Sequence, residues 1–157
     1  MKIGLISDTH GLLRREALAA LAGSDHLIHA GDIGSRSGRH NGVLDSLASL
    51  APLTVVRGNN DRAAWARHIP CTAMLEFEGV RIHVLHILSD LVVDPQAAGV
   101  QVVISGHSHK PCIETRSGVL YVNPGSAGPR RFRLPVTVAR LDVNGGRVEA
   151  ELITLLE

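Results

Sequence analysis

Carboxylate, amide and imidazole side chains fall in five short clusters along this chain, and each cluster follows an apolar run. These side chains bind divalent cations through oxygen and nitrogen. In chain order the clusters are Asp8 with His10, Asp32, Asn59, His86, and His107 with His109. In an α/β sheet, ligands are held at the carboxyl ends of the strands. The clusters therefore predict one site for two divalent metal ions.

The last cluster is the most specific of the five. His107 and His109 are separated by one residue and follow a glycine at the end of a Val-Val-Ile-Ser run, which is an uncommon arrangement. Asp8 and His10 have the same spacing just beyond the first apolar run, where extended geometry directs both side chains to one side. We interpret the histidine pair as metal ligands. Asp-x-His pairs often arise by chance, so the same interpretation of Asp8 and His10 depends on the other clusters.

The other three clusters each have an ordinary structural alternative. Asp32 fits the cap of a following helix, the sequence 58–61 fits a turn, and His86 fits a buried histidine that binds no metal. Their common position after successive apolar runs favours the metal site. The remaining histidines are not expected to bind metal: His29 should be buried with a hydrogen-bonded ring, and the others fit exposed or strand-face positions, namely His26, His40, His68 and His83.

Length and composition indicate one globular domain. A chain of 157 residues, taken as a single domain 1–157, can bury a core without disulfide or zinc crosslinks. The formal net charge is +1 and the basic residues are scattered, so nucleic-acid binding is not indicated. The two cysteines, Cys71 and Cys112, have neither zinc-knuckle nor redox spacing.

The same features predict a cytoplasmic protein without a membrane partner. The first apolar run is too short for a signal peptide, and no run approaches membrane-spanning length. Two cysteines without a disulfide pattern agree with a reducing compartment. Strand edges leave self-association into a homo-oligomer open.

The elements that must position the clusters alternate in the first half of the chain. Apolar periodicity predicts strands and helices in the order β-α-β-α-β, which implies right-handed crossovers and parallel strands. The predicted elements are a strand at 2–7, a helix at 12–22, a strand at 26–30, a helix at 43–50, a strand at 53–57 and a short helix at 62–68.

The second half of the chain is predicted to form hairpins around one further parallel strand. Glycine-containing turns separate runs that alternate between apolar and polar residues. The predicted elements are hairpins 73–78 with 80–85, 112–116 with 119–122 and 136–143 with 147–153, a short helix from Asp94 to Gly99, and a buried strand at 101–105. Parallel units followed by hairpins predict two packed sheets with helices outside.

In their order, the five clusters resemble the signature of the calcineurin-like metallophosphoesterase superfamily. That signature has an Asp-x-His block, a Gly-Asp block, a Gly-Asn block, a single His and a Gly-His-x-His block. The Asn-Pro-Gly-Ser segment at 123–126 and the small size are similar to its compact prokaryotic phosphodiesterases. The resemblance implies an α/β fold of two packed mixed β-sheets flanked by helices, a four-layer sandwich.

The resemblance also implies a ligand set and a mechanism. It assigns Asp8, His10 and His109 to one metal, with Asp32 bridging to the other. The second metal would have the remaining ligands Asn59, His86 and His107. Two divalent ions, with manganese expected and iron, zinc, cobalt or nickel as alternatives, would activate a bridging hydroxide to attack a small phosphodiester. No serine or cysteine nucleophile is then needed.

Several positions depart from, or add to, the implied pattern. Asn60 stands where many relatives have a histidine that assists the leaving group, and an amide cannot supply a proton. Asp61 is expected to support a ligand by hydrogen bonding. Ile87 and Leu88 replace a glycine and a second histidine after His86. Arg130 could contact the phosphate, although a solvated basic loop is the alternative.

Other functions remain open on the sequence alone. A eukaryotic relative with this compact fold serves as a scaffold, so a non-catalytic interaction protein is one alternative. The seven predicted ligand residues argue against it, because a scaffold does not need them. A phosphomonoesterase or a nuclease would keep the metals and change the substrate.

For the phosphodiesterase that the resemblance implies, we predict catalytic roles for Asp32, Asn60, Asp61 and Arg130.

Overall fold

Two five-stranded mixed sheets form the framework of the computed structural model, which describes residues 1–156. The first sheet has the order β10-β9-β1-β2-β3. Its strands are β1 (Lys2–Ile6), β2 (His26–His29), β3 (Leu53–Val55), β9 (Val136–Asn144) and β10 (Arg147–Leu156). β1, β2 and β3 are parallel, as predicted, and β9 is antiparallel to β1. Glu157, the last residue of the predicted domain, lies outside the described residues.

The second sheet has the order β4-β5-β6-β8-β7. Its strands are β4 (Thr72–Phe77), β5 (Val80–Leu85), β6 (Val102–Ile104), β7 (Cys112–Arg116) and β8 (Val119–Asn123). The hairpins β4–β5 and β7–β8 are antiparallel, whereas β6 pairs in parallel with both β5 and β8. β6 therefore lies at the centre of the sheet, which explains its uninterrupted Val-Val-Ile sequence.

The main core fills the space between the two sheets. Apolar side chains from β1, β2 and β9 meet those from β5, β6 and β8, and many are fully buried. They include Ile3, Leu5, Ile28, Ile82, Val84, Val102, Ile104 and Leu141. The alternation of apolar residues in the sequence fixes which face of each strand turns inward.

The two α-helices cover the outer face of the first sheet. They are α1 (Arg15–Leu21) and α2 (Val43–Ala48). Ala17 and Leu21 of α1 and Val43 and Leu47 of α2 are buried in a second apolar cluster with Leu27. Periodicity predicted both helices, and the fold class of two mixed sheets with flanking helices is confirmed.

The outer face of the second sheet is covered without an α-helix. The helix predicted from Asp94 to Gly99 is wrong: the segment forms a turn in which the Ala98 amide donates to the Asp94 carbonyl. A 3-10 turn at Leu88–Asp90 precedes it, and Leu88 and Ala98 pack against the cluster of Val103 on this face.

Two other predicted helices are shorter than expected. The first begins at Arg15 instead of residue 12, because the Leu12 amide closes a turn onto the Thr9 carbonyl. The segment 62–68 contains only a 3-10 turn, Ala64–Ala66, since Ala63 before it is extended. Within residues 1–156, no helix has the length and apolarity to cross a membrane.

Candidate metal centre

The five clusters meet at one edge of the molecule, where strands of both sheets end. Asp8 follows β1, Asp32 follows β2, and His86 follows β5. The Asp8 amide donates to the Gly31 carbonyl and the Gly106 amide donates to the His86 carbonyl, so backbone bonds hold neighbouring strand ends together. The His107 amide donates to Asp8 Oδ2 at 3.1 Å and links the two sheets. All seven predicted ligand positions are thus brought to one place.

Most of these residues have a left-handed backbone. The positive φ angles are 55° at Asp8, 46° at His10, 57° at Asp32, 70° at His107 and 62° at His109. A residue with a side chain adopts this region only at an energetic cost, and such residues concentrate at functional sites. At Asp8 and His10 this backbone differs from the extended geometry expected from the sequence.

Asp8, His10 and His109 form the first group, and their donor atoms lie within 4.8 Å of one another. Asp8 Oδ1 is 3.3 Å from His109 Nε2 and 3.8 Å from His10 Nε2. The two imidazole Nε2 atoms are 3.4 Å apart. Three donor atoms facing one point in this way could hold a single cation.

The carboxylate of Asp8 is oriented by hydrogen bonds to one of its oxygens only. Oδ2 accepts from the Ser7 hydroxyl at 2.6 Å and from the His107 amide. Oδ1 is buried and accepts no hydrogen bond within residues 1–156. A buried, unpaired carboxylate oxygen is costly, and a bound cation would remove that cost. Asp8 therefore fits a metal ligand.

Asp32, His86 and His107 form the second group, again with donor atoms within 4.8 Å of one another. His86 Nε2 lies 3.2 Å from Asp32 Oδ2 but has no hydrogen-bond partner among the described residues. Asn59 joins the group through its side-chain oxygen, which is 3.0 Å from His107 Nδ1. The amide predicted as a ligand is thus beside an imidazole of the same group.

The His86 ring is held in an orientation that suits a metal ligand. Nδ1 is 2.7 Å from the carbonyl oxygen of Ala30, to which it donates. In the neutral ring this leaves the Nε2 lone pair facing Asp32, an arrangement that a cation between them would stabilise. Metal-binding histidines commonly donate their second N–H to a carbonyl in this manner.

Asp32 lies between the two groups. Its Oδ2 atom is 3.2 Å from His86 Nε2 and 3.8 Å from His10 Nε2, so it faces one imidazole of each group. Asn60 holds both carboxylate oxygens: its amide donates to Oδ1 at 2.9 Å and its side chain donates to Oδ2 at 3.0 Å. This placement fits a carboxylate shared by two cations.

The charges of the site match its proposed chemistry. Burial raises the pKa of Asp32, but His86 outweighs that effect and holds the pKa at about 2. Burial likewise raises the pKa of Asp8, and His109 and His86 lower it below its usual range. Burial lowers the pKa of His10, although Asp32 and Asp8 oppose this. Burial lowers the pKa of His86, but Asp32 and Asp8 outweigh that effect and raise it, so a cation that binds His86 must displace its proton.

Two glycines are required for the close approach of the loops. A Cβ at Gly58 would lie 2.1 Å from Asp32 Oδ1, and a Cβ at Gly106 would lie 2.0 Å from Ser7 Oγ. Real Cβ atoms do not approach other atoms so closely. The Gly-Asn and Gly-His blocks therefore contain glycine because the ligand loops pack directly on Asp32 and Ser7.

Asp61 supports the site through hydrogen bonds from backbone amides. Its buried carboxylate accepts from the amides of Ile33, Gly34 and Gly58. These amides belong to the loops that follow Asp32 and precede Asn59. Asp61 thus sets the distance between a ligand of one strand and a ligand of the next.

The structure confirms that His29 is buried with a hydrogen-bonded ring, but the sequence did not predict that His29 and Asn123 position the ligand loops. His29 Nδ1 accepts from the Gly31 amide, so Nε2 bears the proton and donates to the Thr9 hydroxyl. Asn123 donates to the Gly106 carbonyl and the Ser108 hydroxyl, which fixes the last ligand loop. The signal for His29 was its location in a strand directly before the Gly-Asp block.

The arginine-rich segment after Ser126 borders the first group. The Arg14 guanidinium donates a hydrogen bond to the Gly128 carbonyl, which holds this segment against the residues that follow β1. Arg130, the residue favoured from sequence, is exposed. The positive charge of its neighbour Arg131 reaches His10, whose pKa is lowered by burial first and by Arg131 in addition. Arg131 is therefore an additional candidate for contacting an anionic substrate.

Comparison with known proteins agrees with the geometry. Residues 1–146 match the model of the calcineurin-like phosphoesterase superfamily domain. The chain belongs to this superfamily. A protein of Methanocaldococcus jannaschii named "Probable metallophosphoesterase" is 33% identical over 173 residues, covering 100% of this chain and 83% of that protein. Divalent-metal chemistry is the property of this superfamily, and the two ligand groups agree with it.

Solved structures of the superfamily fold include an archaeal phosphodiesterase and a sorting protein. The archaeal phosphodiesterase is 25% identical, covers 98% of this chain and 100% of its own, and has a TM-score of 0.75. Vps29 of Entamoeba histolytica, solved with Zn²⁺, is 20% identical, covers 99% of both chains and has a TM-score of 0.74. The second likeness concerns the fold alone.

Proposed function

We propose that this superfamily member is a dinuclear metal-dependent phosphodiesterase. The observation that supports this most is the meeting of two donor groups at Asp32, beside the buried, unpaired Oδ1 of Asp8. The proposed ligands of the first ion are Asp8, His10 and His109, and those of the second are Asn59, His86 and His107. Asp32 serves both ions.

The proposed reaction is hydrolysis of a phosphodiester. When bound, two divalent ions lower the pKa of a shared water molecule and neutralise charge on the phosphate oxygens. The water oxygen forms a bond to phosphorus and gives a proton to solvent, one ester P–O bond breaks, and the departing oxygen takes a proton from solvent. The products are a phosphomonoester and an alcohol. No covalent intermediate with the protein is required.

The chain's own residues account for substrate preference in this proposal. The amide of Asn60 cannot protonate a departing alkoxide, and its hydrogen bonds to both oxygens of Asp32 give it a positioning role. Esters with good leaving groups are therefore favoured. Arg131, whose charge reaches His10, is proposed to bind the phosphate, with Arg130 beside it in the sequence.

A metal-by-substrate screen tests the proposal. Protein dialysed against a chelator should hydrolyse bis(4-nitrophenyl) phosphate only after a metal is added, with manganese expected to be best among manganese, iron, zinc, cobalt and nickel. 4-Nitrophenyl phosphate should be a poorer substrate, because it is a monoester. Elemental analysis should give two metal ions for each active chain.

A pair of histidine variants makes the screen specific to the site. His86→Ala should lower the metal content and the activity together, because His86 is a proposed ligand of the second ion. His68→Ala is the matched control, since His68 is exposed and belongs to neither donor group. A fully active His86→Ala variant with two metal ions would refute the ligand assignment.

A binding role without turnover is the second candidate. It is favoured by the fold shared with Vps29, a protein named for vacuolar protein sorting in the Cryptosporidium parvum structure. The screen separates the two roles. Metal bound by the purified chain, with no stimulated hydrolysis of either aryl ester, would favour a binding protein and reject the phosphodiesterase.

A further inference from the structure

Two cavities flank the second donor group, and their linings differ in chemistry. The first has a volume of about 500 Å³ and includes Asn59 and His86 in its wall. The second has a volume of about 290 Å³ and includes His107. Because each cavity borders ligands of the same group, both open beside the place where a phosphate would bind.

The first cavity has a positive lining. Arg57 and Arg62 contribute guanidinium groups, and Asp90 contributes an opposing charge. Asp61 also lines the cavity, but its carboxylate is occupied by backbone amides. Arg57 is half-buried, and its Nη2 atom donates a hydrogen bond to Cys71 Sγ at 3.2 Å. Because the backbone amides offset the charge of Asp61, two guanidinium groups and the carboxylate of Asp90 remain, and this set favours an anionic occupant.

The second cavity is mainly apolar. Leu88, Tyr121 and Val122 line it together with the exposed Cys112. Arg116 is already engaged, since it forms an ion pair with Glu114 at 2.9 Å and lies over the Tyr121 ring. Lys110 is a further cation in the wall. An apolar or aromatic group is the best occupant of such a lining.

Ile87 lies in the walls of both cavities. Its chain neighbours lie on opposite sides, with His86 in the first cavity and Leu88 in the second. The side chain after the His86 ligand thus separates a cationic space from an apolar one. A phosphodiester has two ester arms, and a phosphate at the second donor group has one cavity for each arm.

We propose that the substrate is an asymmetric phosphodiester with one anionic arm and one apolar, aryl-like arm. Arg57 and Arg62 bind the carboxylate or phosphate of the anionic arm in the first cavity. The other arm occupies the second cavity, and Ile87 separates the two. This inference rests on the proposed phosphodiesterase function and names its substrate class.

A pair of chromogenic substrates tests the anionic arm. 4-Nitrophenyl 2-carboxyethyl phosphate and 4-nitrophenyl 2-carbamoylethyl phosphate have the same shape and differ by one charge. The wild-type protein should favour the carboxylate in kcat/KM by about tenfold at low salt, the size of one charge-assisted contact. The preference should shrink at high ionic strength, because salt screens an accessible charge pair.

Arginine variants test which residue causes the preference for the carboxylate substrate. Arg57→Gln should bring the ratio of the two kcat/KM values close to one, and Arg57→Lys should retain most of the preference. Arg147→Gln is the matched control, since Arg147 is exposed and begins β10 at the end of the first sheet that lies opposite the donor groups. Arg62 is a poorer choice for this test, because it also donates to the Asn59 carbonyl.

The outcomes separate this inference from the function on which it rests. No turnover of either substrate by the metal-loaded protein would reject the phosphodiesterase and this inference together. Turnover of both substrates without a charge preference, or a preference that Arg57→Gln leaves intact, would overturn the inference alone.

The two cysteines provide a separate test of the two-cavity arrangement, since Cys71 lines the first cavity and Cys112 the second. A phosphinate analogue that joins the same two arms to phosphorus through carbon should slow alkylation of both thiols by N-ethylmaleimide. We expect a slowing of about tenfold when the analogue is at roughly ten times its Kd. Peptide mass spectrometry gives both rates. Protection of Cys71 alone, or of neither thiol, would overturn the assignment of the second arm.

Discussion

The two donor groups have the same kinds of ligand but differ in exposure to solvent. In the first group, Asp8 is fully buried and His109 is 4% exposed. In the second group, Asp32 and His86 are buried, whereas His107 and Asn59 are exposed. The difference indicates a shielded site that should retain its ion and an open site that borders both cavities and should exchange its ion.

The last cluster of the sequence shows how the difference arises. His107 and His109 are two residues apart and both have left-handed backbones, yet their rings enter different groups. His109 packs against His10, with ring centroids 5.3 Å apart, and His107 packs against His86 at 5.2 Å. One short loop therefore supplies the buried group and the exposed group.

Loss of Asp32 should have the largest effect, because its carboxylate faces both groups. Asp32→Ala should lower kcat/KM for bis(4-nitrophenyl) phosphate by about a thousandfold or more, since metal activation contributes several kcal/mol. Elemental analysis should show loss of bound metal. Asp142→Ala, an exposed carboxylate on β9, is the control. An active Asp32→Ala variant with two ions would remove Asp32 from its bridging role.

His109→Ala and His107→Ala should separate the two groups. Loss of His109 should cost about a thousandfold in activity that added metal does not restore, because the buried site loses one of its four proposed donor residues. Loss of His107 should cost about ten- to a hundredfold and be largely restored by excess metal. Activity measured against metal concentration gives both results. Equal metal dependence in the two variants would contradict the shielded and open sites.

Asp61→Asn should destabilise the fold and loosen the second group. Its carboxylate accepts three backbone N–H groups, and an amide cannot reproduce all of these bonds. Losing charge-assisted bonds to buried amides should lower the free energy of unfolding by about 3 kcal/mol. Urea unfolding of the metal-free protein measures this. Asp45→Asn, at an exposed site in α2, is the control, and an equal loss in both variants would exclude a special role for Asp61.

The smallest predicted effect concerns His29, which is fully buried beneath the first group. Burial lowers the pKa of His29 from 6.5 to about 3. The unfolded chain therefore binds a proton below pH 6.5 that the folded chain does not bind until about pH 3. The free energy of unfolding thus decreases as the pH is lowered through that interval. The loss between about pH 8 and pH 5 should be about 2 kcal/mol.

His29→Gln should remove this part of the pH dependence. Urea unfolding of the metal-free wild type and variant, measured at both pH values, isolates the contribution of His29 from that of the carboxylates and the other histidines. The same pH dependence in the two proteins would show that His29 is not the group responsible.

Much of the fold was predictable from the sequence, since local patterns agreed with the tertiary structure. Apolar periodicity located strands of both sheets, and the β-α-β-α-β order predicted parallel β1, β2 and β3. The turn at 94–99 was wrongly predicted as a helix, because the cap and stop signals of a short helix are also those of a turn. Only packing on Val103 and its neighbours determined how the outer face of the second sheet is covered.

The candidate site was predictable in its residue types and less so in its supporting contacts. The ligand positions follow strands, so their convergence could be inferred from topology. The role of Asp61 could not, because it depends on amides about 28 residues away that face its carboxylate only in the folded chain. The separation of the two cavities by Ile87 could not be predicted from the sequence either, because it also depends on contacts made only in the folded chain.

The sequence by itself determined which side chains are available and at which strand ends they lie, because periodicity and glycine placement are local properties. The tertiary structure alone decided that His107 and His109 enter different groups, that Asp32 faces both, and that one group is shielded. Those outcomes depend on left-handed turns and on contacts between the two sheets. Such contacts join residues far apart in the chain, and no local pattern specifies them.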